Sequence, residues 1–226
     1  MPRTEKARPG RSSRKKVVSQ EAALYQALKR HFRFVRGKDN LPILATPRAG
    51  RNNGRLGLAN TMADLGFTRG LEIGTRYGQS ARTWLDIIPG LELVCIDPYQ
   101  AYHHTRQSEQ EKIYADAQAN LAEYRNVALL RITSRAAVHS FEDGSLDFVY
   151  IDGDHTFDEA AQDIIQYAPK VRPGGLVLVH DYCSFLRSGV IQAVDAYTHC
   201  HRIEPWYVTR DYEPTAVWQH GTERAG

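Results

Sequence analysis

The sequence predicts an α/β fold built on parallel strands, and three observations carry that expectation. The apolar runs at 146–151 (LDFVYI) and 176–179 (LVLV) have the composition of buried strands, and each runs directly into acids and histidines. Between them Phe157, Ala160, Ala161, Ile164, Ile165 and Ala168 fall at the spacing of one buried helical face. A strand, helix, strand succession is a crossover, which makes its two strands parallel and brings both polar tips to one carboxyl-terminal edge. That edge is where open α/β sheets bind ligands. Thr156 with Glu159 three residues on forms a capping box at the start of the helix, and Pro169 with Pro173-Gly174-Gly175 ends it.

A chain of 226 residues is most economically one domain with an appendage. Its divisions are a basic disordered tail at 1–18, a helical extension and loop at 19–66, and the main domain at 67–226. The net charge of +3 is unevenly spread. Up to residue 55 there are fifteen Lys and Arg against three acids, about +12, which leaves about −9 for the rest. A tail of this kind either touches phosphates of a nucleic acid or an acidic partner, or is simply solvated. No apolar run reaches the roughly 20 residues of a membrane span, and no apolar segment follows the basic start, so a cytoplasmic protein is expected. Cys95, Cys183 and Cys200 are few and widely spaced, which fits isolated thiols rather than a disulfide framework. Cys183 lies near the acidic cluster and is weighed as a reactive thiol.

Residues 20–34 read as a helix with Ala23, Leu24, Ala27, Leu28 and His31 on one side, a candidate dimer surface. Residues 41–57 are rich in Pro, Gly and Asn and read as a loop, with a helix from 58 to 65. At 71–80 (LEIGTRYGQS) an apolar strand enters a glycine turn and then a helix. The G-x-x-x-G spacing departs from the dinucleotide fingerprint. The next strand, 91–96, ends in Asp97-Pro98, where an acid some 20 residues beyond a glycine turn is placed to bind ribose hydroxyls. A nucleoside is implied. Further on, 109–124 reads as a helix, 127–132 as a strand and 185–198 as a helix.

At the edge fed by 146–151 and 176–179 stand Asp152, Asp154, His155, His180 and Asp181. Three carboxylates gathered with two imidazoles repel one another unless protons or a cation are present, so a divalent metal is the economical explanation. The alternative is a turn role for Asp154 and satisfied core positions for His155 and His180.

Taken in order, LEIGTRYGQS, CIDPY, DFVYIDGDH and RPGGLVLVHDY resemble the signature motifs of class I S-adenosylmethionine-dependent methyltransferases, more narrowly the small O-methyltransferase branch with I-D-G-D-H (methyltransferase 24-like). The resemblance covers roughly 70–182. It implies a Rossmann-like seven-stranded sheet, with 202–208 and 215–218 as its closing antiparallel pair. It implies S-adenosyl-L-methionine as cofactor, contacted by Glu72, Gly74, Thr75, Arg76, Gly78, Ser80, Asp97, Pro98, Ser134 and Asp152. In metal-dependent relatives the matching positions Asp152, His180 and Asp181 hold a divalent cation, expected here to be magnesium or manganese, and Asp154 matches a base of some relatives; Asp154 or His155 is expected to take the acceptor's proton. His180 stands where the best-known members have an acid. The implied reaction is O-methylation of a small molecule or sugar. Its competitors are methylation of nucleic acid through the basic amino terminus and a cofactor-binding protein without turnover. Loops at 52–55, at 99–106 (with His103 and His104) and at 182–187 are the expected acceptor contacts.

Overall fold

The computed structural model describes residues 11–37, 41–46, 53–102, 105–183 and 188–221. In chain order the elements are α1 (Arg11–His31), β1 (Arg33–Arg36), β2 (Pro42–Ala45), α2 (Asn53–Asp64), β3 (Arg69–Ile73), α3 (Gln79–Ile87), β4 (Glu92–Ile96) and α4 (Gln107–Leu121). Then come β5 (Val127–Leu130), the single turn α5 (Ser134–Ala137), β6 (Leu146–Ile151), α6 (Phe157–Tyr167), β7 (Val171–Val179), α7 (Val190–His201), β8 (Trp206–Arg210) and β9 (Ala216–Gln219). All nine strands form one sheet in the order β1-β2-β8-β9-β7-β6-β3-β4-β5.

The α/β expectation holds, and the five strands β7-β6-β3-β4-β5 are parallel. β9 pairs antiparallel with both β7 and β8. Seven of the strands are those expected; the other two come from the amino-terminal region. β2 pairs parallel with β8, and β1 pairs antiparallel with β2. The stretch 41–57 is therefore not all loop. Pro42 opens β2, the one strand position where a missing N–H costs little. Arg33–Arg36 is likewise strand, although the helical reading ran to residue 34. α1 begins at Arg11, inside the stretch read as tail; residues 1–10 lie outside the described residues.

Alternate strand residues face two apolar layers. Leu71, Ile73, Val149, Ile151, Val177 and Val179 point to α6 and α7, while Phe148, Tyr150, Leu176 and Leu178 pack with α1, α2 and α3. In the second layer Trp84 of α3 meets Phe148 and Tyr150 edge-on, with ring centroids 6.2 and 5.1 Å apart. Such pairs add about 0.5–1.5 kcal/mol each beyond their burial. α1 contributes Leu24, Ala27 and Leu28, but Ala23 is exposed. α6 buries a narrower stripe than its sequence suggests: Ala160, Asp163, Ile164 and Tyr167 are inside, whereas Phe157 and Ile165 are 47% and 59% exposed. The capping box is not formed. Thr156 makes no side-chain cap, and its N–H, which Glu159 would accept in such a box, goes to Asp154 Oδ1 at 2.7 Å.

The strand order reverses between β3 and β6: from β3 the chain moves outward to β4 and β5, then returns to β6 on the other side. This switch point opens a crevice beyond the carboxyl ends of both strands.

Candidate active site

Gly74 follows β3 at the switch point with φ +85°, and its N–H donates to Ile96 O at 2.8 Å. A Cβ there would stand 1.9 Å from the carbonyl oxygen of Asp152. Only glycine lets the β3 turn lie against the end of β6, so this residue joins the two polar tips. Asp152 N–H in turn donates to Ile73 O at 2.8 Å.

Beyond β4, Asp97 is held by two backbone donors. Arg76 N–H reaches Oδ2 and Tyr99 N–H reaches Oδ1, each at 2.9 Å. Tyr99 Oη donates to Arg76 O at 2.9 Å, tying the two turns together. Burial raises the Asp97 carboxyl above its ordinary range against the pull of these N–H groups. Arg76, Tyr99 and Asp181 have φ of 49°, 47° and 56°, so left-handed backbone at non-glycine residues gathers along this edge. Thr75 and Ser80 are buried beside the turn, and Pro98 is half-buried.

Glu72 is fully buried on β3, and Trp84 Nε1–H donates to its Oε2 at 2.9 Å. Burial pushes its carboxyl up to about 8, with the indole N–H opposing. Glu72, expected against the cofactor, is thus fixed by Trp84 within the buried sheet. Ser134 caps nothing: Thr133 accepts from Ala136 N–H, while the Ser134 hydroxyl donates to Asp163 Oδ1 at 2.6 Å. Gly78 is the N-cap of α3.

The acidic cluster forms as expected at the ends of β6 and β7. His155 Nε2 lies 3.0 Å from Asp181 Oδ2 and 3.7 Å from Asp152 Oδ1. His180 Nδ1 lies 3.2 Å from Asp152 Oδ1 and 3.4 Å from Asp181 Oδ2. Asp152 and Asp181 hold His155 up at about 9; burial disfavours a charge on His180, but the same two acids together outweigh it and push that imidazole up to about 10. Both histidines draw the two acids below their usual range, against the effect of burial. Asp152, His155 and Asp181 each offer a ligand atom, all within 4.8 Å of one another. His155 thus joins the two acids as a candidate ligand, and His180, the expected one, turns its Nδ1 to the same two carboxylates. His180 is buried at 7% exposure, with its Nε2 toward the Arg55 guanidinium at 3.5 Å. The donor set of two carboxylates and one imidazole suits a divalent transition ion.

Arg55 was expected at the end of an acceptor-contact loop, 52–55, and is instead helical. It sits in the first turn of α2, and its Nη2 reaches Tyr150 Oη at 3.4 Å. Asp154 is half-buried and serves the turn before α6. Cys183 is pushed up by burial, with Asp181 adding to it, which disfavours a reactive thiolate. His103 and His104 lie outside the described residues.

Residues 71–182 match the family model described as a methyltransferase domain (methyltransferase 24). A 116-residue segment is 31% identical to an uncharacterized protein, y4gI, of Sinorhizobium fredii; it spans 49% of this chain but 13% of that relative. Among solved structures, methyltransferase PaMTH1 of Podospora anserina with bound S-adenosylhomocysteine superposes with a TM-score of 0.55 at 16% identity, covering 96% of this chain and 100% of the other. A Staphylococcus aureus protein, provisionally named a caffeoyl-CoA O-methyltransferase, superposes with a TM-score of 0.55 at 17% identity over 76% of this chain and 85% of that one. At such identities the structures share the fold. With the ordered motifs, the switch-point crevice and the domain match together, residues 71–182 belong to the class I S-adenosylmethionine-dependent methyltransferases, in the branch defined by that domain.

Proposed function

We propose that this protein transfers the methyl group of S-adenosylmethionine to an oxygen of a small molecule, with Asp152, His155 and Asp181 at the acceptor end. One juxtaposition carries the reading: the acid and imidazole cluster and the Gly74 turn share one sheet edge, joined through the Asp152 backbone. The cofactor supplies an electrophilic methyl group, so the protein's task is alignment and keeping the accepting oxygen nucleophilic. Asp97 is oriented for vicinal hydroxyls by two N–H groups that leave lone pairs on both oxygens. A carboxylate or imidazole placed to take the acceptor's proton contributes ~10²-fold or more. Asp154 and His155 are the groups so placed in sequence; of the two, Asp154 is the base, because His155 is held cationic by Asp152 and Asp181 or serves as a ligand. The name of the Staphylococcus aureus neighbour supports oxygen as the accepting atom.

A divalent cation held by Asp152, His155 and Asp181 would supply Lewis acidity to the acceptor hydroxyl. The imidazole shifts the preferred ion from magnesium toward manganese, iron or cobalt. A metal-independent variant is favoured by one observation: His155 and His180 balance the charge of Asp152 and Asp181 by themselves. Calorimetric titration of S-adenosylmethionine, in chelator and then with manganese, separates these readings. Binding lost in Asp97→Ala and a manganese site lost in Asp181→Asn support the metal-assisted form. No cofactor binding under any condition overturns the proposal.

A nucleic-acid acceptor, held by the basic amino terminus, is the competing reading, and oligonucleotide binding that weakens steeply with salt is its test. Among the described residues no helix is long and apolar enough to cross a membrane. Placement in the cytoplasm, and a homodimer through α1, rest on composition and on the exposed Tyr25.

A further inference from the structure

The cluster at the sheet edge holds a cation that neither its acids nor the proposed chemistry uses. Arg55 projects from α2, which is fixed at its start by Gly54 N–H donating to Asp211 Oδ2 at 3.1 Å and along its length by buried Leu58, Ala59 and Met62. The guanidinium lies 6.0 Å over the Tyr150 ring. Its Nε is buried without a hydrogen-bond partner, and its contacts to Tyr150 Oη and His180 Nε2, at 3.4 and 3.5 Å, are long. Among the described residues no carboxylate forms an ion pair with it, yet Tyr150, Asp152 and Glu72 hold it cationic against burial. Burying a guanidinium with unused donors costs several kcal/mol unless an anion completes it.

The place of Arg55 says which anion. Tyr150 is paired with Glu72 across β6 and β3, so the guanidinium sits over the same strand junction where Gly74 meets Asp152. The amino-acid end of the cofactor is a zwitterion, and this junction offers an acid, Asp152, beside an uncompensated cation. We infer that Arg55 is the counter-ion for the α-carboxylate of S-adenosylmethionine, presented by the amino-terminal extension to the sheet edge; this rests on the cleft being the cofactor site.

The experiment compares S-adenosylmethionine with decarboxylated S-adenosylmethionine, which keeps the ammonium and nucleoside but lacks the carboxylate. Both are titrated into the wild type, Arg55→Ala and Arg55→Lys. The wild type should prefer the carboxylate form by about 10- to 100-fold, the range of a charge-assisted hydrogen bond. Arg55→Ala should abolish that preference while binding the decarboxylated form unchanged, and Arg55→Lys should restore part of it. Equal loss for both ligands would mean that Arg55 only supports the fold, and an unchanged preference would mean it serves another anion; either overturns the inference. Failure of the wild type to bind either ligand would overturn the cofactor reading itself.

Discussion

His155 Nε2 stands 3.0 Å from Asp181 Oδ2, closer to an acid than any other histidine of the cluster, while His180 is the one that faces Arg55. The two imidazoles are thereby divided, one toward the crevice at 37% side-chain exposure and one beneath it at 7%. If the cluster takes a dication, the two histidines do not contribute equally. Manganese binding followed by calorimetry should weaken at least tenfold in His155→Ala, since one ligand of three is removed. His180→Ala should cost less in manganese affinity and more in stability, because it leaves Arg55 without its neighbour. The reverse ranking would return His180 to the ligand set.

Asp97 illustrates a residue whose orientation is already fixed before any ligand arrives. Because Arg76 and Tyr99 donate to its two oxygens, Asp97→Asn would set an amide N–H against one of those donors. Nucleoside binding should fall by roughly 10- to 100-fold, about the worth of hydrogen bonds to a charged group, while manganese affinity stays near wild type. Fluorescence or calorimetric titration with S-adenosylhomocysteine checks both. A loss of manganese affinity of the same size would show that the two ends of the crevice are not independent.

The crevice edges were legible in the sequence because strand tips at a switch point leave a local signature: an apolar run, then Gly74, Asp97, Asp152 or His180-Asp181. Spacing within one element also predicted α6 and β6 nearly to the residue, whereas β7 begins at Val171, five residues before the apolar run at 176–179, and takes in Pro173-Gly174-Gly175. What stayed hidden depends on contacts between distant segments. Arg55 reads as part of an acceptor-contact loop at 52–55, and its place over Tyr150, 95 residues away, comes only from the packing of α2. β1 and β2 are four residues each, too short for a periodicity to register, and exist because β8 offers an open edge.

Gly74 and Gly90 both have positive φ, at 85° and 69°, but only the first is crowded. A Cβ at Gly90 meets nothing within 4 Å, whereas at Gly74 it overlaps the Asp152 carbonyl. Gly90→Ala should therefore cost only the backbone term, about 1 kcal/mol. Gly74→Ala should cost at least ~3 kcal/mol more, because β3 and β6 must separate at their carboxyl ends. Urea denaturation of the two variants provides the comparison. Similar losses would show that the turn yields more easily than its contacts imply.

Asp163 is the one acid of α6 inside the protein, 4% exposed, accepting the Ser134 hydroxyl. Burial pushes its carboxyl up to about 6, and the Ser134 bond only partly opposes this. The folded state therefore binds a proton more tightly than the unfolded chain, where the carboxyl has its ordinary value near 4. Its contribution is fully present below pH ~4 and is lost as pH rises to about 6, a change of up to ~3 kcal/mol. Above that window the protein carries a buried charge that an amide would not. Asp163→Asn keeps an acceptor for Ser134 and should be more stable than wild type at pH 7 to 8, with the advantage shrinking or reversing below pH 4. Urea midpoints across pH 4 to 8 decide it: a constant difference between the two proteins would mean that Asp163 is ionised throughout, and a loss of stability at pH 8 would mean that its charge is compensated by a neighbour in the fold.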